Sequence, residues 1–202
     1  MAKAKPDSQG AVEYVNRKRD TYYLQAGQTK TGKPRYYLGK KFTGTPLDRV
    51  PEGYEIYETP ATALVVLRKS KPTLILPEER LFVEDSARRQ SGVRQIIVDV
   101  EEQALVVYLP SMSDNVAHEL FGFLAPLGRM QDAKDLLFAA SVYTPMLRFE
   151  LENPETRLFT VQRWCFLGSI DDWFFLGGPR SLADHVNKYA KHLGNESFFE
   201  LM

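Results

Sequence analysis

The pattern of apolar and polar positions predicts short β-strands in the first third of the chain. Residues 21–25 and 35–39 are rich in Tyr and Leu and flank a stretch of Gly, Thr and Lys, a pattern that predicts a β-hairpin. Residues 53–58 and 63–68 have the same character and predict a second hairpin. We therefore predict a small four-stranded antiparallel β module over residues 21–76.

The segments on either side of this module have different patterns. Residues 1–20 are polar and basic, and they predict a flexible tail with a short helical turn at residues 11–16. Residues 77–92 predict a helix that connects the module to the rest of the chain. Pro77 suits the first helical position, acids follow it, and arginines precede Gly92, as the helix dipole favours.

The remaining residues, 93–202, combine strand and helix patterns. Alternation of apolar and polar residues predicts a strand over residues 147–152. Short runs rich in apolar and β-forming residues predict strands over residues 95–100, 104–109, 158–167 and 173–176, with a turn over residues 168–171. Residues 114–140 predict one or two helices that are broken near Pro126 and Gly128. The last helix is predicted over residues 181–193, because Ser181 is a good N-cap and apolar residues follow at helical spacing.

These patterns favour the α+β class over a doubly wound parallel sheet. Strands and helices are segregated in places instead of alternating strictly along the chain. The predicted architecture is a small N-terminal antiparallel β module, followed by a larger α+β domain with antiparallel strands and a C-terminal helix.

Charge is balanced overall but divided unevenly along the chain. Lys and Arg number 26, as do Asp and Glu. Residues 1–50 hold 11 of the basic residues and only four acids, so this part carries +7 and the remainder −7. Such asymmetry indicates contact with nucleic acid, with an acidic membrane surface, or with another copy of the chain through oppositely charged ends. A basic face that is merely solvated is the alternative.

Composition indicates a folded protein of a reducing compartment. Apolar residues make up 44% of the chain and charged residues 26%, which is typical of globular proteins. The single Cys165 cannot form an internal disulfide. No apolar run approaches the ~20 residues that span a bilayer, and no secretory signal is recognisable at the start. We expect a cytoplasmic protein without a membrane partner.

Several patterns that suggest cofactor or metal chemistry are incomplete. Residues 27–33 match the first seven positions of a phosphate-binding P-loop, but Pro34 replaces the required hydroxyl and a strand pattern follows where a helix is needed. A hairpin turn explains these residues better. His118, His185 and His192 lack the spacing of a zinc site. We predict no cofactor and no metal site.

A basic, tyrosine-rich surface is the first candidate site. Alternation along a strand turns one Tyr of each Tyr-Tyr pair toward the core and the other outward beside Lys or Arg. Exposed rings can stack on bases while the cations hold phosphates, although the rings can equally serve only to pair across the hairpin. The predicted nucleic-acid-binding residues are Arg17, Lys18, Arg19, Tyr23, Lys30, Lys33, Arg35, Tyr37, Lys40 and Lys41.

Two further candidate sites lie near the predicted last helix. A glycine turn entering this helix, with Gly177, Gly178, Arg180 and Ser181, is a candidate anion site because free backbone N–H groups and a guanidinium would converge there. A compact strand-to-helix turn is the plainer interpretation. A catalytic site is the third hypothesis, and it would be formed by Asp171, Asp172, Arg180 and His185.

Together these observations favour binding over catalysis. The first hypothesis is a non-enzymatic protein that contacts nucleic acid non-specifically through its basic N-terminal part. The alternative is an interaction or scaffold protein that docks on an acidic partner or forms homo-oligomers.

Overall fold

A computed structural model describes residues 10–112, 114–167 and 170–202, and it confirms the α+β class. The chain divides into two compact units, Met1–Lys71 and Pro72–Met202. Residues 1–9 of the predicted tail, and Gly168 and Ser169 of a predicted turn, lie outside the described residues.

The described part of the first unit is entirely β-structure. Its strands are β1 (Glu13–Val15), β2 (Thr21–Gln28), β3 (Pro34–Gly39), β4 (Thr45–Pro46), β5 (Tyr54–Glu58) and β6 (Val65–Lys69). Strand β2 is central in an antiparallel sheet, with β3 along one edge and β1 and β4 along the other, and β5 and β6 form a separate hairpin. Both predicted hairpins are therefore confirmed, whereas β1 and β4 add to the four predicted strands.

The helical turn predicted at residues 11–16 is wrong, because β1 forms there and pairs with β2. The side chain of Asn16 is buried and holds the turn that follows β1. Its Oδ1 accepts from the Asp20 N–H at 2.8 Å, and its Nδ2 donates to the Ala63 carbonyl at 2.8 Å. Long-range pairing thus decides a conformation that the local sequence leaves open.

The second unit is a five-stranded antiparallel sheet with helices. Its elements are α1 (Pro77–Ser91), β7 (Ile97–Glu101), β8 (Ala104–Pro110), α2 (Asp114–Phe121), a 3-10 helix (Gly122–Leu127), α3 (Met130–Ala140), β9 (Tyr143–Asn153), β10 (Leu158–Leu167), β11 (Ile170–Ser181), α4 (Leu182–Tyr189) and two short 3-10 helices (Ala190–His192 and Glu196–Phe198). The strands follow one another as neighbours, in the order β11-β10-β9-β8-β7. The predicted break of residues 114–140 near Pro126 and Gly128 is confirmed.

The core of the second unit lies between this sheet and helices α1 and α4. Val83 of α1, Phe149 of β9 and Val186 of α4 are among its fully buried side chains. Helix α1 begins at Pro77 as predicted. It packs into this core and is part of the second unit.

Helix α4 begins at the predicted N-cap. The Ser181 Oγ accepts from the Asp184 N–H at 3.1 Å. The α-helix ends at Tyr189, and a 3-10 turn continues it to His192, so the regular helix is shorter than predicted. Gly194 follows with φ +78°, which ends the segment. Within the described part of the chain, no helix is both long and apolar enough to cross a bilayer.

Candidate nucleic-acid interface

The hairpin of β2 and β3 carries five of the ten residues predicted to bind nucleic acid: Tyr23, Lys30, Lys33, Arg35 and Tyr37. In its register Gln25 lies opposite Tyr37, Tyr23 opposite Gly39, and Arg35 opposite Gly27. Because directly paired residues point to the same face of a sheet, Tyr23, Arg35 and Tyr37 share one face.

Both predicted stacking rings have partners within the first unit. The Tyr23 ring packs on the Phe42 ring, with centroids 4.5 Å apart. The Tyr37 ring lies against the backbone of Gly27 and Gly44, and its hydroxyl is 2.9 Å from the Thr43 Oγ1. Both tyrosines are half-buried. Each ring is therefore packed on one side within the unit, which leaves less of its surface for stacking on a base.

A loop over residues 40–44 covers this face, and the buried side chain of Gln25 holds the loop in place. Its Oε1 accepts from the N–H groups of Thr43 and Gly44 at 2.7 and 2.9 Å, and its Nε2 donates to the Lys41 carbonyl at 2.9 Å. Sequence reasoning missed Gln25 and Phe42. A lone amide within an apolar strand and a lone Phe within a basic loop were the available signals.

On the opposite face of the hairpin, one tyrosine ring is partly exposed to solvent. Tyr22 is buried as predicted, whereas Tyr36 is 37% exposed and meets the Tyr54 ring edge-on. Tyr36 and residues 47–52 line an open cleft of about 570 Å³. The charged residues that line this cleft are two acids, Asp48 and Glu52, and one base, Arg49, so the net charge of its lining is negative and disfavours an anionic ligand.

Three exposed cations lie at the end of this hairpin: Lys30 and Lys33 in the turn between β2 and β3, and Arg35 as the second residue of β3. Within the described residues, no carboxylate lies within ion-pair distance of Lys30 or Lys33. The Arg35 guanidinium lies 5.5 Å from the centroid of the Tyr37 ring. We call these three residues the basic tip. Two hydrogen bonds close the turn: the Thr29 Oγ1 accepts from the Lys33 N–H at 3.1 Å, and the Thr29 N–H donates to the Lys33 carbonyl at 2.9 Å.

The other predicted cations lie at the opposite end of β2, about 25 Å away for a strand of this length. Lys18, Arg19 and Lys41 are exposed there. The Lys40 Nζ lies 2.8 Å from the Asp20 Oδ2, and this hydrogen bond lowers the pKa of the Asp20 carboxyl and raises that of Lys40. The predicted cations therefore form two separate groups.

The predicted binding residue Arg17 is half-buried and forms an ion pair with Glu58. Its Nη1 lies 3.3 Å from the Glu58 Oε1 and 3.1 Å from the Thr59 carbonyl oxygen, and the side chain is 16% exposed. The contact joins the turn after β1 to the end of β5.

The structure corrects the proposed anion site. Gly177 and Gly178 lie within β11, which runs on to Ser181, so the predicted glycine turn is absent. Irregular pairing of β10 with β11 between Phe159 and Gln162 accommodates both glycines in the strand. At the helix start, the Ser181 hydroxyl already accepts from the Asp184 N–H, and the Asp184 side chain places a carboxylate in the first turn.

The residues of the catalytic hypothesis do not converge. Asp172 pairs with Cys165 near one end of β11, and Arg180 pairs with Phe159 near the other, roughly 25 Å away along the strand. His185 is buried, and its Nε2 lies 2.7 Å from the Phe159 carbonyl oxygen. Cys165 is buried, as expected of a small apolar side chain. No three His, Cys, Asp or Glu side chains of the described residues cluster as metal ligands would.

Comparisons of the chain with protein-family models, with curated proteins and with solved structures gave no match.

Proposed function

We propose that the first unit binds nucleic acid non-specifically, and that the basic tip makes the main contact with the phosphate backbone. One observation carries this proposal. Residues 21–47 contain five cations and no acid, and three of these cations, the exposed Lys30, Lys33 and Arg35, lie within six residues at the end of the β2–β3 hairpin.

The proposed contact is electrostatic. Each phosphate that a cation neutralises releases a condensed counterion, which gives affinity without base specificity. Arg35 suits this role because a guanidinium can donate two parallel hydrogen bonds to phosphate. Since the rings of Tyr23 and Tyr37 are packed within the unit, we expect no preference for single strands that depends on base stacking. This differs from the stacking role that the sequence alone suggested.

The test is a salt titration of binding to a fluorescent oligonucleotide, single-stranded and duplex, by anisotropy. The test variant carries Lys30→Gln, Lys33→Gln and Arg35→Gln. If the three cations each contact a phosphate, the slope of log K against log[salt] should become shallower by about 2 to 3 in this variant. Binding at ~50 mM salt should weaken at least 10-fold.

A matched control variant carries Arg94→Gln, Arg129→Gln and Lys191→Gln. These three cations are exposed residues of the second unit, so the control loses the same charge elsewhere. We expect its slope to equal that of the native chain. The proposal would be refuted if the two variants lost the same amount of affinity for the oligonucleotide, or if the native chain did not bind it at ~50 mM salt.

The same titration separates nucleic acid from an acidic protein partner. Poly-glutamate offers carboxylates without the charge density of a phosphate backbone, so it should compete far more weakly at equal charge concentration. Competition by poly-glutamate at equal strength would identify the basic tip as a docking surface for acidic proteins instead.

A further inference from the structure

The first unit carries a second group of cations at the end of β2 opposite the basic tip. Lys18 and Arg19 precede β2, and Lys40 and Lys41 follow β3, so the antiparallel pairing of the two strands brings the four residues to one end of the hairpin. All four are exposed. We call these four residues the basal group.

The basal group and the basic tip carry the same net charge. Asp20 is the acid beside the basal group, and its Oδ2 lies 2.8 Å from the Lys40 Nζ. The hydrogen bond from Lys40 lowers the pKa of this carboxyl, and the charge of Lys18 adds to the effect. Four cations and one acid leave +3, as do the three cations of the tip. Residues 21–47 contain no acid, so the hairpin places no carboxylate of its own between the two groups.

Within the basal group, Arg19 has a backbone conformation that favours glycine. Its φ is +64°, in the left-handed region, where a side chain is disfavoured. The buried Asn16 fixes this turn: its carbonyl oxygen accepts from the Arg19 N–H at 2.9 Å, and its Oδ1 accepts from the Asp20 N–H at 2.8 Å. Glycine would serve the fold better at this position. An exposed arginine there indicates a role outside the fold.

The separation of the two groups defines the length of a partner that contacts both. The eight residues of β2 lie between them, which places them about 25 Å apart. Since successive base pairs rise by about 3.4 Å, this distance corresponds to about seven base pairs of a duplex. The two groups also share a face, because Arg35 lies on the face of the sheet that the loop with Lys40 and Lys41 covers. One straight rod can therefore contact both groups.

We propose that the first unit binds duplex nucleic acid along the β2–β3 hairpin, with the basic tip and the basal group on phosphates about seven base pairs apart. This inference rests on the proposed function. A duplex is stiff over this length, so binding at one group holds phosphates near the other. A single strand must first be extended and ordered, which costs free energy. It gains less from stacking in return, because the rings of Tyr23 and Tyr37 are each packed on one side.

The test compares two fluorescent DNA ligands by anisotropy: a duplex of about 16 base pairs, and a stem of about four base pairs closed by an uncharged linker. The short stem is about 14 Å long, less than the separation of the two groups. The test variant carries Lys18→Gln, Arg19→Gln and Lys41→Gln, and it keeps the pair of Lys40 with Asp20.

On the long duplex, this basal variant should bind at least 10-fold more weakly than the native chain at ~50 mM salt. The slope of log K against log[salt] should become shallower by about 2 to 3. On the short stem the loss should be at most about twofold, because the basic tip alone still binds. The matched control is the variant with Arg94→Gln, Arg129→Gln and Lys191→Gln, which should bind both ligands as the native chain does.

A single substitution separates binding from folding at the strained position. Arg19→Gly should weaken binding to the long duplex by about threefold or more, because one phosphate contact is lost. The midpoint of thermal unfolding should stay equal or rise, since glycine adopts a φ of +64° without strain. Arg19→Lys retains the charge and should retain the native affinity.

The outcomes distinguish this inference from the proposed function. If only the Lys30, Lys33 and Arg35 variant loses affinity and the basal variant matches the control, the proposed function stands and the inference is overturned. Equal loss by the basal variant on both ligands would also overturn it, as would equal affinity of the native chain for the long duplex and for one of its single strands. No binding of the native chain to any ligand would overturn both. Circular dichroism of each variant ensures that only folded chains are compared.

Discussion

At the scale of single residues, His185 is the titratable group that packing perturbs most clearly. Its imidazole is buried beneath β10 and β11, with its Nε2 2.7 Å from the Phe159 carbonyl oxygen and its ring stacked on Tyr189. Burial lowers the pKa of His185 below its ordinary value of 6.5, and hydrogen bonds to the backbone of Phe159 and Gly178 offset this effect only in part. The folded chain therefore favours the neutral imidazole.

This shift predicts a pH dependence of the stability of the second unit. The unfolded chain binds a proton at His185 more readily than the folded chain does. The free energy of unfolding is therefore unaffected by this group above pH 6.5 and decreases as the pH falls below this value. The loss from this one group should reach up to about 1.4 kcal/mol per pH unit. Urea unfolding followed by tryptophan fluorescence between pH 7.5 and 5 measures it. In His185→Gln the dependence should be weaker, and an unchanged pH profile would contradict the assignment.

At the scale of elements, the loop over residues 40–44 packs so closely on β2 that only glycine fits at position 44. A Cβ on Gly44 would lie 2.3 Å from the Ala26 carbonyl oxygen and 2.6 Å from the Tyr37 hydroxyl. Both distances are far below van der Waals contact. The packing of this loop over Tyr23 and Tyr37 thus depends on the absence of a side chain at Gly44.

We expect Gly44→Ala to destabilise the first unit by about 1–3 kcal/mol, because the loop must move away from β2. Gly178→Ala is the matched control, since a Cβ there meets no atom within 4 Å. The control should change stability by less than about 1 kcal/mol. Hydrogen exchange of the β2 and β3 amides measures the first effect. Equal protection of these amides in Gly44→Ala and the native chain would show that the loop is not closely packed.

At the scale of the whole molecule, the two units differ in charge and in their spectroscopic probes. The basic excess lies in the first unit and the acidic excess in the second. Both tryptophans, Trp164 and Trp173, belong to the second unit, so tryptophan fluorescence reports on that unit alone. The sequence prediction of a β module and a larger domain implies that the units also fold separately.

We therefore expect the units to unfold independently. Gly44→Ala should lower exchange protection in β2 and β3 while leaving the midpoint of the tryptophan transition in urea unchanged. At neutral pH, His185→Gln should lower the midpoint of the tryptophan transition in urea and leave exchange protection in β2 and β3 unchanged. One cooperative fold would give a different result: Gly44→Ala would then lower the free energy of unfolding measured by tryptophan fluorescence as much as the free energy measured by exchange in β2 and β3.

The sequence by itself determined which elements form wherever the signal is local. Strand β10 lies at the predicted residues 158–167, and Ser181 caps α4 as predicted, because strand alternation and capping depend on neighbours within a few residues. The hairpin of β2 and β3 and the apolar positions of β9 were predictable for the same reason. Local energetics are sufficient at these positions.

Only the tertiary structure decided which side chains are free to act. The rings of Tyr23 and Tyr37 share a face, as alternation implies, but a loop held by Gln25 covers that face. Asp172 and Arg180 lie close in sequence yet stand at opposite ends of one strand. The exposure of a side chain and the distance between two groups depend on contacts between residues far apart in the chain. No local pattern encodes such contacts, because the free energy that selects them comes from packing of the whole unit.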